Sequence, residues 1–238
     1  MVGQGAVALF VKTPGLSPVK TRLAVKLGAA IAERFHVLAA SATCAVLDAA
    51  SRSCNVRGYY AVAEQAAACA EYWHEMPCLW QGDGGLGERM RRVYETLLEN
   101  HEFVILVGAD IPQMTVTELQ SASEWLTHDE QARFAFGPSY DGGFWLFGGN
   151  GPLPTGLWTD VVYSRPETGM RFFEAIQRCG DVRTLTTLRD VDEPDDLIAL
   201  DRVLQDLDRP LPEQLALMRF LHGLSPALRE YRGLAANC

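Results

Sequence analysis

Two short runs, residues 6–11 (AVALFV) and 103–108 (FVILVG), most constrain what this chain can fold into. Each is apolar throughout and stops abruptly at loop residues, Lys12-Thr13-Pro14-Gly15 after the first and Ala109-Asp110-Ile111-Pro112 after the second. Runs of this length are too short for a buried helix. An unbroken apolar strand has both faces covered, which calls for a sheet with helices on either side.

The remaining pattern alternates in the same sense. Helical periodicity extends from about residue 20 to 52 with a break near Gly28, and residues 55–62 have strand character. Residues 64–73 are alanine-rich and predicted helical, and a glycine-rich turn, residues 82–87, opens a helix over 88–100. Thr115 with Glu118 three residues on marks the start of a helix to about residue 127. Short strands are predicted at 132–136 and 144–147, a helix at 166–178, a strand at 182–188, and helices from 194 to 207 and over 212–223. The expected fold is α/β, a three-layer Rossmann-like sandwich with a mixed, mostly parallel sheet and helices on both faces; the close strands around Asp141 supply the antiparallel part. Ligands of such sheets sit beyond the carboxyl ends of the strands. That rule puts Lys12, Asp110 and the glycine-rich segments along one edge.

The chain has 238 residues, enough for one large domain with a modest appendage: a body over 1–208 and a C-terminal helical extension over 209–238. Its net charge of -9 argues against nucleic acid or an anionic membrane as partner. Residues 1–10 lack a basic leader, and no stretch is expected to span a membrane. The six cysteines, Cys44, Cys54, Cys69, Cys78, Cys179 and Cys238, show no metal spacing and are expected to be reduced, in keeping with a cytoplasmic location. His36, His74 and His101 are expected to be solvated helix residues. All three lysines, Lys12, Lys20 and Lys26, lie in the first 26 residues, while arginine supplies positive charge elsewhere.

Five segments carry candidate chemistry. After the first strand, Lys20 and Arg22 stand in the first turn of a helix, where the macrodipole disfavours cations unless an anion is present; phosphate binding by Lys12, Lys20 and Arg22 would explain them, as would a solvated loop. Asp110 emerges from a buried strand, where a divalent cation or a turn cap would satisfy it. Asp141 lies among glycines that permit either close approach of a ligand or a hairpin turn. Asp190 or Asp192 offers a second metal ligand, although capping of the next helix would account for one of them. Gly85, Gly87 and Arg89 open a helix that could admit a nucleotide or sugar.

In this order, K-x-P…V-K-T-R-L, G-x-L-G-E-R-M, G-x-D-x-P, D-G-G-F and D-V-D-E-P-D-D-L, the segments resemble the bacterial DUF2064 family from about residue 6 to 200. The resemblance implies a nucleotide-diphospho-sugar transferase (GT-A-like) fold and glycosyl transfer of the arsenosugar-biosynthesis type. It implies that Lys12, Lys20 and Arg22 contact the nucleotide, with Gly85, Gly87 and Arg89 on the same ligand, and that Asp110 holds Mg²⁺ or Mn²⁺. The D-x-D pattern is incomplete, since Gly108 and Pro112 flank Asp110 at two residues, which brings in Asp192 as the completing ligand. Asp141 would be the catalytic base or orient the acceptor. The implied partners are a nucleoside-diphosphate sugar or an NTP and a small-molecule acceptor, with residues after 208 packing on the body or forming a homodimer. The alternative activity is nucleotidyl transfer from an NTP to a phosphorylated small acceptor. The first loop is also similar to that of guanylyltransferases acting on phospholactate, although the G-G-x-G-x-R loop of sugar nucleotidyltransferases is absent.

Overall fold

The computed structural model describes residues 4–68, 72–127 and 131–235. In chain order these form β1 (Gly5–Val11), α1 (Thr21–Leu27), α2 (Ala29–Cys54), β2 (Val56–Val62), α3 (Gln65–Ala68), β3 (Cys78–Trp80), α4 (Leu86–Leu98) and β4 (Val104–Gly108). They continue with α5 (Val116–Thr127), β5 (Arg133–Pro138), β6 (Phe144–Gly149), α6 (Thr155–Thr159), α7 (Thr168–Ile176), β7 (Asp181–Thr184), α8 (Pro194–Gln205) and α9 (Pro212–Ala235).

The sheet order is β3-β2-β1-β4-β6-β5-β7. All neighbours are parallel except β6, which runs against both β4 and β5. The carboxyl ends of β1, β2, β4, β5 and β7 therefore share one edge with the start of β6. Strands are added outward in one sense from β1 to β3 and in the other from β4 onward, so the switch point lies between the parallel β1 and β4, the crevice where α/β sheets hold ligands.

The period-two alternation of β1 sorts its side chains between two cores. Val7, Leu9 and Val11 join Ile105 and Val107 of β4 against α2 and α5, while Ala6 and Ala8 join Val104 and Leu106 under α4 and α7. A third apolar layer lies outside α2, where Phe35 and Ala39 meet Leu197 and Leu204 of α8 and Leu217 and Leu221 of α9. Burial on two sides explains why α2 is apolar almost all round. By length and composition alone α2 could cross a membrane, with a mean hydropathy of 1.3 over its best window, but 56% of that window is buried inside the fold, as in a core helix.

Other departures have local causes. α3 covers Gln65–Ala68 of the helix expected over 64–73; residues 69–71 lie outside the described residues, and Trp73 instead anchors a loop. β3 is three residues long, below the reach of any periodic signal, and α6 is five. α9, expected to end at Gly223, continues through Pro226 because Leu224 and Leu228 extend its buried face. Here tertiary packing outweighs the helix-breaking residues.

Candidate active site

The loop that leaves β1 is held from below. The backbone N–H of Thr13 donates to the Glu64 carboxylate at 3.1 Å, and its hydroxyl accepts the Trp73 indole N–H at 3.0 Å. His36, buried and not solvated as expected, places Nε2 at 2.8 Å from the Lys12 carbonyl. Burial lowers its pKa, outweighing the carbonyl bond, so it donates as a neutral ring. These anchors leave the Lys12 side chain exposed, without a side-chain partner among the described residues.

Lys20 goes the other way. It precedes α1 in the left-handed region, φ 45° and ψ 49°, a conformation that costs a non-glycine residue roughly 1–2 kcal/mol. The turn sends its side chain inward, 4% exposed, with Nζ 2.8 Å from Asp110 Oδ2 and 3.3 Å from Asp192 Oδ1. It also donates to the Val191 carbonyl. Burial disfavours the ammonium, but Asp110 and Asp192 outweigh it and raise its pKa. Arg22 reaches Asp192 Oδ2 at 3.3 Å from an exposed position, and Lys26 pairs with Glu193. The anion required by a cationic first helical turn is thus supplied from within the chain, by Asp110 and Asp192, and Lys12 is the cation that stays open.

Asp192 is not the cap of α8. That place belongs to Glu193, and Asp196 Oδ2 accepts the backbone N–H groups of Asp192 and Glu193 at 3.1 and 2.9 Å. The Asp192 carboxylate is thereby left to Lys20 and Arg22.

A cleft of about 250 Å³ opens at the β1–β4 crevice, and its lining includes Asp110, Asp141 and Asp190 together with the apolar Phe10, Met90 and Phe144. Asp190, two residues from the residue favoured by sequence, is the third carboxylate of this cleft, whereas Asp192 sits behind it on Lys20. The Asp190 pKa is pushed up to about 6, first by burial and then by Asp141 and Asp192. Asp141 serves two roles: its Oδ1 accepts the Gly143 N–H at 2.9 Å, closing the turn, while the residue faces the cleft.

The glycine-rich turn contributes differently from expectation. Leu86 and Met90 form part of the cleft wall, while Gly85, Gly87 and Arg89 lie outside it. Gly85 donates to Glu88 Oε2 at 2.7 Å and Arg89 Nε donates to the Gly84 carbonyl at 2.9 Å, both local helix-start contacts. Gly87 is buried, and a Cβ there would lie 1.9 Å from the Trp158 carbonyl oxygen. Gly87→Ala is expected to cost about 2–3 kcal/mol through this overlap, measured as a lower urea midpoint with unchanged slope; an unaltered midpoint would show that α4 and α6 part without strain.

No group of three or more His, Cys, Asp or Glu converges in metal-binding fashion among the described residues. Mg²⁺ and Mn²⁺ sites that use one or two carboxylates, with water and substrate phosphates completing the shell, need no such group. Asp110, Asp141 and Asp190 line the cleft against a single cation, Arg165, with Lys20 drawn in between Asp110 and Asp192, so carboxylates outnumber cations in the lining and the site fits a cation of that kind.

A protein of Desulfovibrio desulfuricans G20 to which nucleotide-diphospho-sugar transfer is provisionally ascribed has the same fold, with a TM-score of 0.82 and 22% identity over 95% of this chain and 97% of that one. A 4-diphosphocytidyl-2C-methyl-D-erythritol synthase from Anaerococcus prevotii DSM 20548 superposes with a TM-score of 0.52 and 12% identity, over 85% of this chain and 98% of that one. A nucleotidyl transferase from Methanothermobacter does so with 0.52 and 14%, over 86% and 99%. These likenesses establish the GT-A, Rossmann-like fold. No functionally curated protein matches the sequence. Residues 45–165, just over half of the chain and including Asp110 and Asp141, match the family described as "Uncharacterized protein conserved in bacteria (DUF2064)", and the chain belongs to that family.

Proposed function

We propose that this chain is a transferase acting on a nucleoside phosphate, and specifically a nucleotidyltransferase joining an NTP to a small acceptor. The observation that carries the reading is that Asp110, Asp141 and Asp190, from three separate segments, line one cleft at the carboxyl end of β4, while Lys12 stands exposed at the end of the neighbouring strand β1. The relatives that make a diphosphocytidyl product or transfer a nucleotidyl group support this reaction on the shared fold. The sugar transfer expected from sequence is the second reading, supported by the greater likeness to the Desulfovibrio protein.

In nucleotidyl transfer an acceptor oxygen attacks the α-phosphorus, the bond from that phosphorus to the β-phosphate oxygen breaks, and pyrophosphate leaves. Lys12 would bind the departing phosphates and counter the charge that grows on them. If the attacking oxygen belongs to a phosphate, no proton has to leave and Asp141 orients the acceptor. If it belongs to a hydroxyl, Asp141 takes the proton. A divalent cation held by Asp110 and Asp190 would supply charge neutralisation at the phosphates. Lys20 ties Asp110 to Asp192, two residues beyond Asp190, so the segments that bring Asp110 and Asp190 to the cleft are held in register.

Thermal shift tests the reading. An NTP with Mg²⁺ or Mn²⁺ at about a hundredfold excess over Kd stabilises by about 2.7 kcal/mol, or roughly 5–10 °C in Tm for a chain of this size. Release of pyrophosphate on adding acceptor completes the assignment. A shift with diphospho-sugars alone would transfer the conclusion to the second reading. Absence of any nucleotide-dependent shift would overturn both.

A further inference from the structure

The segment between α6 and α7 brings to the cleft a cation, Arg165, that neither the nucleotide nor the metal reading uses. Arg165 lines the cleft together with Asp141, and it also lines a second hollow with Arg171 of α7. Neither guanidinium has an ion pair or a hydrogen-bonded partner among the described residues. The one acidic residue of the hollow, Glu167, pairs with neither.

The backbone locks this segment to the catalytic turn. Gly142, at φ 86°, lies so close to Pro166 that a Cβ would be 2.0 Å from the Pro166 carbonyl oxygen. Gly169 donates its N–H to the Gly142 carbonyl at 2.8 Å, and a Cβ on Gly169 would lie 2.4 Å from the Gly143 carbonyl oxygen. Side chains at either glycine would separate the two segments. Their absence fixes Arg165 relative to Asp141, and Ser164, held at φ 60°, sets the turn that presents it.

We infer that Arg165 and Arg171 form an acceptor subsite for an anionic group, a phosphate or a carboxylate, and hold the acceptor so that its reacting oxygen meets Asp141. This rests on the transferase reading for the word acceptor, and adds the substrate class: a small hydroxylated compound carrying an anion. Guanidinium forks bind both oxyanions through paired N–H donors. Glycerol, by the same argument, lacks the group that the arginines recognise.

The test measures binding of glycerol 3-phosphate, D-glycerate and glycerol to the full-length protein by calorimetry, in wild type, in R165Q/R171Q and in K12A. Both arginines are exposed, so the double variant should melt as wild type does. One or both anions should bind, glycerol should not, and R165Q/R171Q should weaken the binding at least tenfold while K12A changes it less than twofold; the two anions tell phosphate from carboxylate. The nucleotide-dependent thermal shift, measured in parallel, should survive in R165Q/R171Q. Its loss in every variant and in wild type would sink the transferase reading and leave the anion result standing by itself. Anion binding that is absent from wild type, indifferent to the arginines, or lost with Lys12 instead would overturn the subsite.

Discussion

Asp110→Asn is expected to cut turnover by at least about a hundredfold and to remove the metal-dependent part of the nucleotide thermal shift, since a catalytic divalent cation contributes several kcal/mol of transition-state stabilisation. Asparagine keeps the shape of the side chain, so the carboxyl end of β4 should stay where it is. It loses the charge that a divalent cation requires and that Lys20 now faces at 2.8 Å. Lys20 retains Asp192 and the Val191 carbonyl, and the Asp110 side chain is 42% exposed, so the cost to folding should be small, about 1 kcal/mol or less. A steady-state assay with Mg²⁺ titrated, run beside urea unfolding, separates the two effects. Wild-type turnover in Asp110→Asn would remove Asp110 from the mechanism, whatever its place in the cleft.

Local pattern and distant contacts differ in how far a sequence reveals them, for physical reasons. β1 and β4 announce themselves because a strand buried on both faces has no room for polar residues, and Gly28 marks the α1–α2 break because its φ of 91° suits glycine. The cleft follows from topology, since Lys12 and Asp110 end strands on either side of the switch point. What sequence could not supply is the set of contacts between distant segments. Asp190 and Asp192 look equivalent in the chain, and which one faces the cleft is decided by how residues 186–189 lie on the turn between β5 and β6. There the Leu188 N–H bonds to the Pro138 carbonyl, the Trp145 indole N–H to the Thr186 carbonyl, and Arg189 lies over the Tyr140 ring. Gly87 was legible as a close approach but not as an approach to Trp158 rather than to a ligand. Arg165 and Arg171 carried no motif at all; their significance lies in the hollow they share and in the glycines that hold it against Asp141.

Lys20→Met should separate what Lys20 does for the fold from what it does for the site. Methionine fills nearly the same volume but carries no charge, so Asp110, Asp192 and the Val191 carbonyl each lose a donor. Breaking a fully buried pair costs about 3–5 kcal/mol. Here the two carboxylates are 42% and 41% exposed and keep water on their open sides, which brings the expected loss to about 1–2 kcal/mol in urea unfolding. The left-handed backbone at φ 45° persists, because methionine prefers it no more than lysine does. At the site the two consequences have opposite signs. Without the ammonium, Asp110 is free for a divalent cation, so half-saturation by Mg²⁺ should fall severalfold. The segment carrying Asp190 and Asp192 loses its tie to Asp110, so turnover should fall by about a hundredfold, as expected when catalytic groups shift by an ångström. Lys20→Arg should not rescue it, since the Lys20 side chain is 4% exposed and a planar guanidinium cannot meet three acceptors arranged around a compact ammonium. Tighter Mg²⁺ activation with lower turnover would mark Lys20 as the residue that holds the carboxylates in register while competing for one of them. Turnover at the wild-type level in Lys20→Met would reduce Lys20 to a folding contact.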